Sequence, residues 1–277
     1  MLARVGLRTV ALGYLALVLV IPCAMIVQRT FQDGLPPVWD ALTDPAFLHA
    51  LQLTLVAVAI AVPANTIFGV MCAMVLVRRR PPGAPFFTVA IGLPLALSPV
   101  VVGLALILVY GKQGWFGEWF VDHGFPIIFS TPGIVLATIF VTLPFVVREV
   151  VPVLREVGID QDEAAWTLGA SKTQTFWRIT LPAIRWGVAY GVVLTTARAL
   201  GEYGAVAVVS GRLAGQTETL TIHVDEQYLR FNEVAAYTTA LVLALLAVIT
   251  LVCMNVFKPR HKEAPRGDRS PPGDEAL

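Results

Sequence analysis

The sequence predicts an all-α integral membrane protein with six transmembrane helices, and three observations carry that prediction. Hydrophobic residues make up 56% of the 277, charged residues only 14%, and mean hydropathy is +0.73. A soluble domain of this size carries about a quarter charged residues. The charges are also segregated, so long stretches without an ionisable group run between charged clusters. Those stretches match the roughly 20 residues that a helix needs to cross a bilayer, and hydrocarbon leaves no water to satisfy a backbone that is not helical or closed into a barrel.

Six spans account for the apolar segments, at about 7–27, 52–77, 86–110, 132–151, 187–209 and 235–257. Lys and Arg set their orientation. With the N-terminus inside, Arg4, Arg8, the Arg78–Arg80 run, the cluster from Arg148 to Arg185 and the cluster from Lys258 to Arg269 place 15 basic residues in the cytoplasm. Arg29, Lys112, Arg212 and Arg230 are the 4 outside, and Arg198 lies within a span. Both termini are therefore expected in the cytoplasm. The first span has no small-x-small cleavage site after it and is read as a retained anchor. Residues 1–258 form one membrane domain, and 259–277, rich in Pro, Gly and charge, form a disordered cytoplasmic tail.

Several chemistries are excluded by what the chain lacks. Cys23, Cys72 and Cys253 are far apart and within spans, so no disulfide or metal spacing exists. His49, His123, His223 and His261 are scattered, with no metal-ligand pattern and no nucleophile-and-base arrangement. Gly111-Lys112 lacks the phosphate-loop pattern. An enzyme would need clustered acid–base groups, and an ion-coupled secondary transporter would need coupling groups in the membrane and usually inverted repeats. If the protein moves a solute uphill, another subunit supplies the energy.

Pro22, Pro63, Pro94, Pro99 and Pro144 lie in or near spans, where each removes a backbone donor. Pro94 and Pro99 share one segment, so the third span should be bent or locally unwound; a gate and simple kinked packing both fit. Gly187 and Gly191 form a Gly-x-x-x-Gly that suits close helix packing. The loop Trp115-Phe116-Gly117-Glu118-Trp119-Phe120 has the aromatic content of a membrane-interface segment.

Residues 160–182 form a polar island within the cytoplasmic loop 152–186. Asp160 and Glu163 have capping-box spacing, and Gly169 is placed to end that helix. Ser171 and Gln174 repeat the box, and Pro182 is expected to end the second helix. Small Ala164 and Ala165 on the first helix suggest a surface built to be gripped.

Arg198 and Glu202 are the charged pair inside the fifth span, four residues apart and so on one helix face. An isolated charge there costs about 2.5–3.5 kcal/mol even on the gentle insertion scale. The two should therefore pair, either as a structural bridge or as part of an anion path. Gly201 and Gly204 beside them suggest close backbone approach or a helix break.

Glu163-Ala164-Ala165, Gly169 and Ile179-Thr180-Leu181-Pro182 resemble the cytoplasmic signature of permease subunits of bacterial ATP-binding-cassette importers. The segments at 93–103, 140–149 and 199–211 resemble, more narrowly, the sulfate and thiosulfate permeases, in particular the second of their two permease subunits. Molybdate permeases share the Gly201-Glu202-Tyr203-Gly204-Ala205 core, which leaves a molybdate or tungstate permease as the alternative; the longer segments point to sulfate.

The resemblance implies a type I importer permease fold in the bacterial inner membrane. It also implies a heterodimer with a second permease, two copies of a cytoplasmic ATPase that holds ATP-Mg, and an extracytoplasmic sulfate-binding protein. Glu163, Ala164, Ala165, Gly169, Leu181 and Pro182 would form the ATPase-coupling surface. The permease would hold no cofactor, metal or nucleic acid of its own, and lipid would surround it. Trp166 departs from the pattern, where a smaller residue would be unsurprising.

Overall fold

The computed structural model describes residues 2–79 and 81–257, with backbone alone for 2–5 and 254–257. The predicted tail at 259–277 lies outside them. Helices α1 (Leu2–Leu15) and α2 (Ile21–Phe31) run together through a π-helical turn, and short α3 (Leu35–Thr43) leads into α4 (Pro45–Met74), which ends in a second π-turn, Val75–Arg79. Then come α5 (Ala84–Ala96), α6 (Pro99–Tyr110), short α7 (Gly117–Asp122) and long α8 (Thr131–Val157). The polar island forms α9 (Asp160–Thr167) and α10 (Lys172–Thr175), followed by a π-turn (Phe176–Thr180) and α11 (Leu181–Leu200). Short α12 (Gly204–Val209), α13 (Leu220–Leu229) and long α14 (Glu233–Phe257) complete the chain.

Among the described residues, five continuous helical runs are long and apolar enough to span a bilayer: Gly6–Phe31, Pro45–Arg79, Thr131–Val157, Lys172–Leu200 and Glu233–Cys253. The remaining predicted span, the third, is a broken pair, with α6 bent by 109° from α5. Its cause is local. Ser98 precedes Pro99, whose ring disfavours the helical region for the residue before it, and Ser98 is extended at φ −62°, ψ 135°. Leu97 is extended too, so α5 stops and Pro99 opens α6.

The fifth span departs from the sequence expectation at both ends. Pro182 does not end the second island helix, because the π-turn at Phe176–Thr180 widens the ladder just before it and Leu181 N–H donates to Phe176 O. Pro182 then sits in the first turn of α11, where its ring is tolerated. Helix therefore continues from Lys172 to Leu200. At the far end α11 stops at Leu200 rather than running to 209, and residues 204–209 form the separate α12.

Helix α8 is the centre of the bundle, with α4 and α11 packed against it. A Cβ on Gly69 of α4 would lie 2.7 Å from Val146 Cβ, and one on Gly191 of α11 would lie 3.0 Å from Val146 Cα. Glycine thus lets both neighbours close on one valine from either side. Gly187, the other half of the predicted motif, meets Val153 and the Glu149 carbonyl in the same way. Buried threonines are largely satisfied within their own helices: Thr54, Thr138 and Thr142 each donate to the carbonyl four residues back. By contrast, the apolar side chains of α1 from Leu7 to Leu15 are exposed, as a helix in contact with lipid requires.

Candidate functional site

The island is a helical hairpin with two differently built ends. Its second capping box is fully made: Ser171 Oγ accepts from Gln174 N at 3.2 Å, and Gln174 Oε1 accepts from Ser171 N at 2.9 Å. The first box does not form. Ile159 takes the N-cap position with no side-chain cap, and Asp160 is already the first helical residue. Asp160, Asp162 and Glu163 instead place three carboxylates in the first turn, where the helix dipole favours them. Gly169 ends α9 as expected, at φ +85°, with Leu168 as C-cap.

The predicted surface residues divide into two groups. Glu163, Ala164, Gly169 and Pro182 are exposed, whereas Ala165 is buried and Leu181 is half-buried against the core at the cytoplasmic end of α8. Leu168, which the sequence reading did not single out, is 88% exposed beside Gly169 at the mouth of a hollow of about 270 Å³. Its signal was available: a leucine directly before the glycine that ends the helix. Trp166 turns toward α4 and lines a groove with Met71 and Met74.

Asp162 is a carboxylate that no local signal separates from its neighbours. It is 4% exposed, accepts from Thr180 Oγ1 at 3.1 Å, and its Oδ2 lies 3.0 Å from Arg78 Nη2 at the end of the second span. Arg78 Nη1 also donates to the Gly158 carbonyl at the bend between α8 and α9. The Arg78–Asp162 contact is an ion pair off the hydrogen-bond line, and Arg78 Nε is buried without a partner.

At the other end of the long helix, Arg198 and Glu202 do pair, at 2.7 Å, but not on one helical face: Gly201 caps α11 and Glu202 lies beyond it. Glu202 Oε1 accepts from Ala205 N at 3.0 Å, and its backbone carbonyl accepts from Thr221 Oγ1 at 2.8 Å. Its side chain is fully buried, while that of Arg198 is one-third exposed. Nearby, Tyr203, Arg212 and Asp225 form a closed polar triad with contacts of 2.7–3.0 Å. Among the described residues no group of three or more His, Cys, Asp or Glu could hold a metal.

Residues 65–263 match the family described as binding-protein-dependent transport system inner membrane component. The chain belongs to that family. As one of these inner membrane components it is a multi-pass permease subunit and not itself the catalyst. It is 53% identical to the sulfate transport system permease protein CysW of Synechocystis sp., over 92% of each chain. It is 34% identical to the sulfate transport system permease protein CysT of the same organism, over 90% of this chain and 87% of that one. A crystal structure of a bacterial alginate ABC transporter shares the fold, with a TM-score of 0.71 over 92% of both chains at 16% identity.

Proposed function

We propose that the protein is one of two different permease subunits of an importer for sulfate and thiosulfate, powered by a cytoplasmic ATP-binding-cassette ATPase dimer. The observation that carries the reading is the 53% identity to a sulfate permease across nearly the whole chain. The gap between that value and the 34% identity to CysT supports the pairing, since the chain matches one of two distinct permease types far better than the other. A CysT-like chain is then its partner, and an extracytoplasmic binding protein delivers the anion.

Residues 152–186 carry the coupling loop of the membrane domain 1–258. Glu163, Ala164, Leu168 and Gly169 form the outward surface that enters the ATPase, and Ala165 and Leu181 hold the hairpin to the bundle. Pro182 opens the helix through which movement passes. That helix is continuous from Lys172 to Leu200, so displacement of the hairpin is delivered to the Arg198–Glu202 bridge. The bridge fixes the break between α11 and α12; it is structural, because the carboxylate that would repel a dianion is itself immobilised against α12.

The test is radiolabelled sulfate uptake in cells lacking this chain, with and without its return, against excess unlabelled thiosulfate or molybdate. Uptake restored by the chain and blocked by thiosulfate but not molybdate is the expected result. Uptake that does not respond to the chain, in cells without a redundant importer, would move the substrate to another oxyanion such as molybdate or tungstate.

A further inference from the structure

The hairpin leans on the second span across a groove of about 550 Å³, with Met71 and Met74 on one wall and Trp166 on the other. Side-chain packing does not fill that space. Helix α9 finds its close helical neighbours in α10 and the following π-turn. Arg78 crosses the gap with two contacts: one guanidinium nitrogen on the Gly158 carbonyl, the other on Asp162. The pair is largely out of water, with side chains 11% and 5% exposed, and Thr180 binds the second carboxylate oxygen.

Gly158 is where α8 gives way to α9, at φ +70°, a conformation that L side chains rarely adopt. The residue that grips Asp162 therefore also grips the bend about which α9 would move. We infer that Arg78 is a positioning residue for energy coupling: through Gly158 and Asp162 it ties the second span to the hairpin, so that both α4 and α11 follow the ATPase. Without it the hairpin would still dock, but only the helix continuous with it would be driven. The inference rests on the reading of Glu163, Ala164, Leu168 and Gly169 as the ATPase-docking surface.

It is tested on the whole importer reconstituted in vesicles with the second permease, ATPase and binding protein. The readouts are ATPase subunits retained on the purified complex, basal hydrolysis, and radiolabelled sulfate moved per ATP. Arg78→Gln should keep the ATPase and basal hydrolysis while sulfate per ATP falls about tenfold or more, within the range of site-to-site coupling; Arg78→Lys should recover part of it. Because Arg78→Gln strands a buried carboxylate, a cost that can by itself prevent folding, Arg78→Gln with Asp162→Asn is the deciding variant. It should assemble and be equally uncoupled.

Wild-type sulfate per ATP in that double variant overturns the inference. Loss of its ATPase subunits also overturns it, since the pair would then serve docking rather than transmission. Gly169→Asp, run alongside, separates the two ideas: if it retains ATPase and transport, the docking reading itself is wrong. If it loses both while the double variant stays coupled, only the role of Arg78 is wrong.

Discussion

Arg198 and Glu202 meet at 2.7 Å across the end of α11, and the carboxylate so held also accepts the backbone N–H of Ala205 in the first turn of α12. One side chain therefore joins a long helix to the short one that follows it. Arg198→Ala should leave Glu202 buried without its cation, at about 3 kcal/mol or more, the lower part of the usual range because Arg198 is one-third exposed. The expected result is a sharp drop in monodisperse protein after detergent extraction, partly restored by adding Glu202→Gln. Normal yield with transport abolished would instead assign Arg198 to the anion path.

Glu163→Lys and Gly169→Asp should each abolish sulfate uptake while the protein remains in the membrane. Both positions are exposed, and a Cβ at Gly169 meets nothing within 4 Å, so the bundle has no steric reason to fail. Gly169→Ala isolates the backbone effect, since φ +85° costs an L residue about 1 kcal/mol. It should lower uptake modestly. Immunoblots of membrane fractions beside uptake assays check all three, and wild-type uptake in the first two would remove the docking assignment.

Asn65 of α4 donates from Nδ2 to the Ile139 carbonyl at 3.0 Å and to Thr142 Oγ1 at 2.8 Å, stitching α4 to α8 at a fully buried position. Interhelical hydrogen bonds of this kind contribute about 0.6–2 kcal/mol in membranes. Asn65→Ala should therefore lower the Tm of purified protein measurably. Thr142→Val should cost less, because the Ile139 contact survives it.

Gly103 and Gly204 mark where α6 and α12 close on each other. A Cβ on Gly103 would lie 2.7 Å from Val208 Cβ, and one on Gly204 would lie 2.8 Å from Pro99 Cβ. Overpacking at such contacts costs about 1–3 kcal/mol. Either Gly→Ala change should lower Tm, and the two together should fall short of additivity, since they strain the same interface. Unchanged melting in both would mean the helices have room to separate.

Local signals were legible and distant ones were not. Pro99 announces the break in the third span because a proline acts on the residue before it, whereas Pro94 stays inside α5. Ser171 and Gln174 announce their cap for the same reason: the partners are three residues apart. Asp160 carries the same spacing to Glu163 and makes no cap, because the turn at Gly158 delivers the chain into α9 one residue early. Pro182 reads as a stop only if the preceding turn is α-helical; a π-turn removes the conflict, and its signal in the sequence is weak. Nothing local could pair Arg78 with Asp162, since spans three and four separate them, and only the folded bundle brings the charges together.

The uninterrupted helix from Lys172 to Leu200 is about 43 Å long at 1.5 Å per residue. It is held near mid-length, where Gly187 and Gly191 press against α8, so under the proposed coupling it would pivot rather than translate. A tilt of about 10° about that fulcrum carries each end of such a rod through about 4 Å, in opposite directions. Under the proposed coupling, the stroke at the cytoplasmic end would be inverted at Arg198: as the hairpin swings one way, the far end of α11 would swing the other.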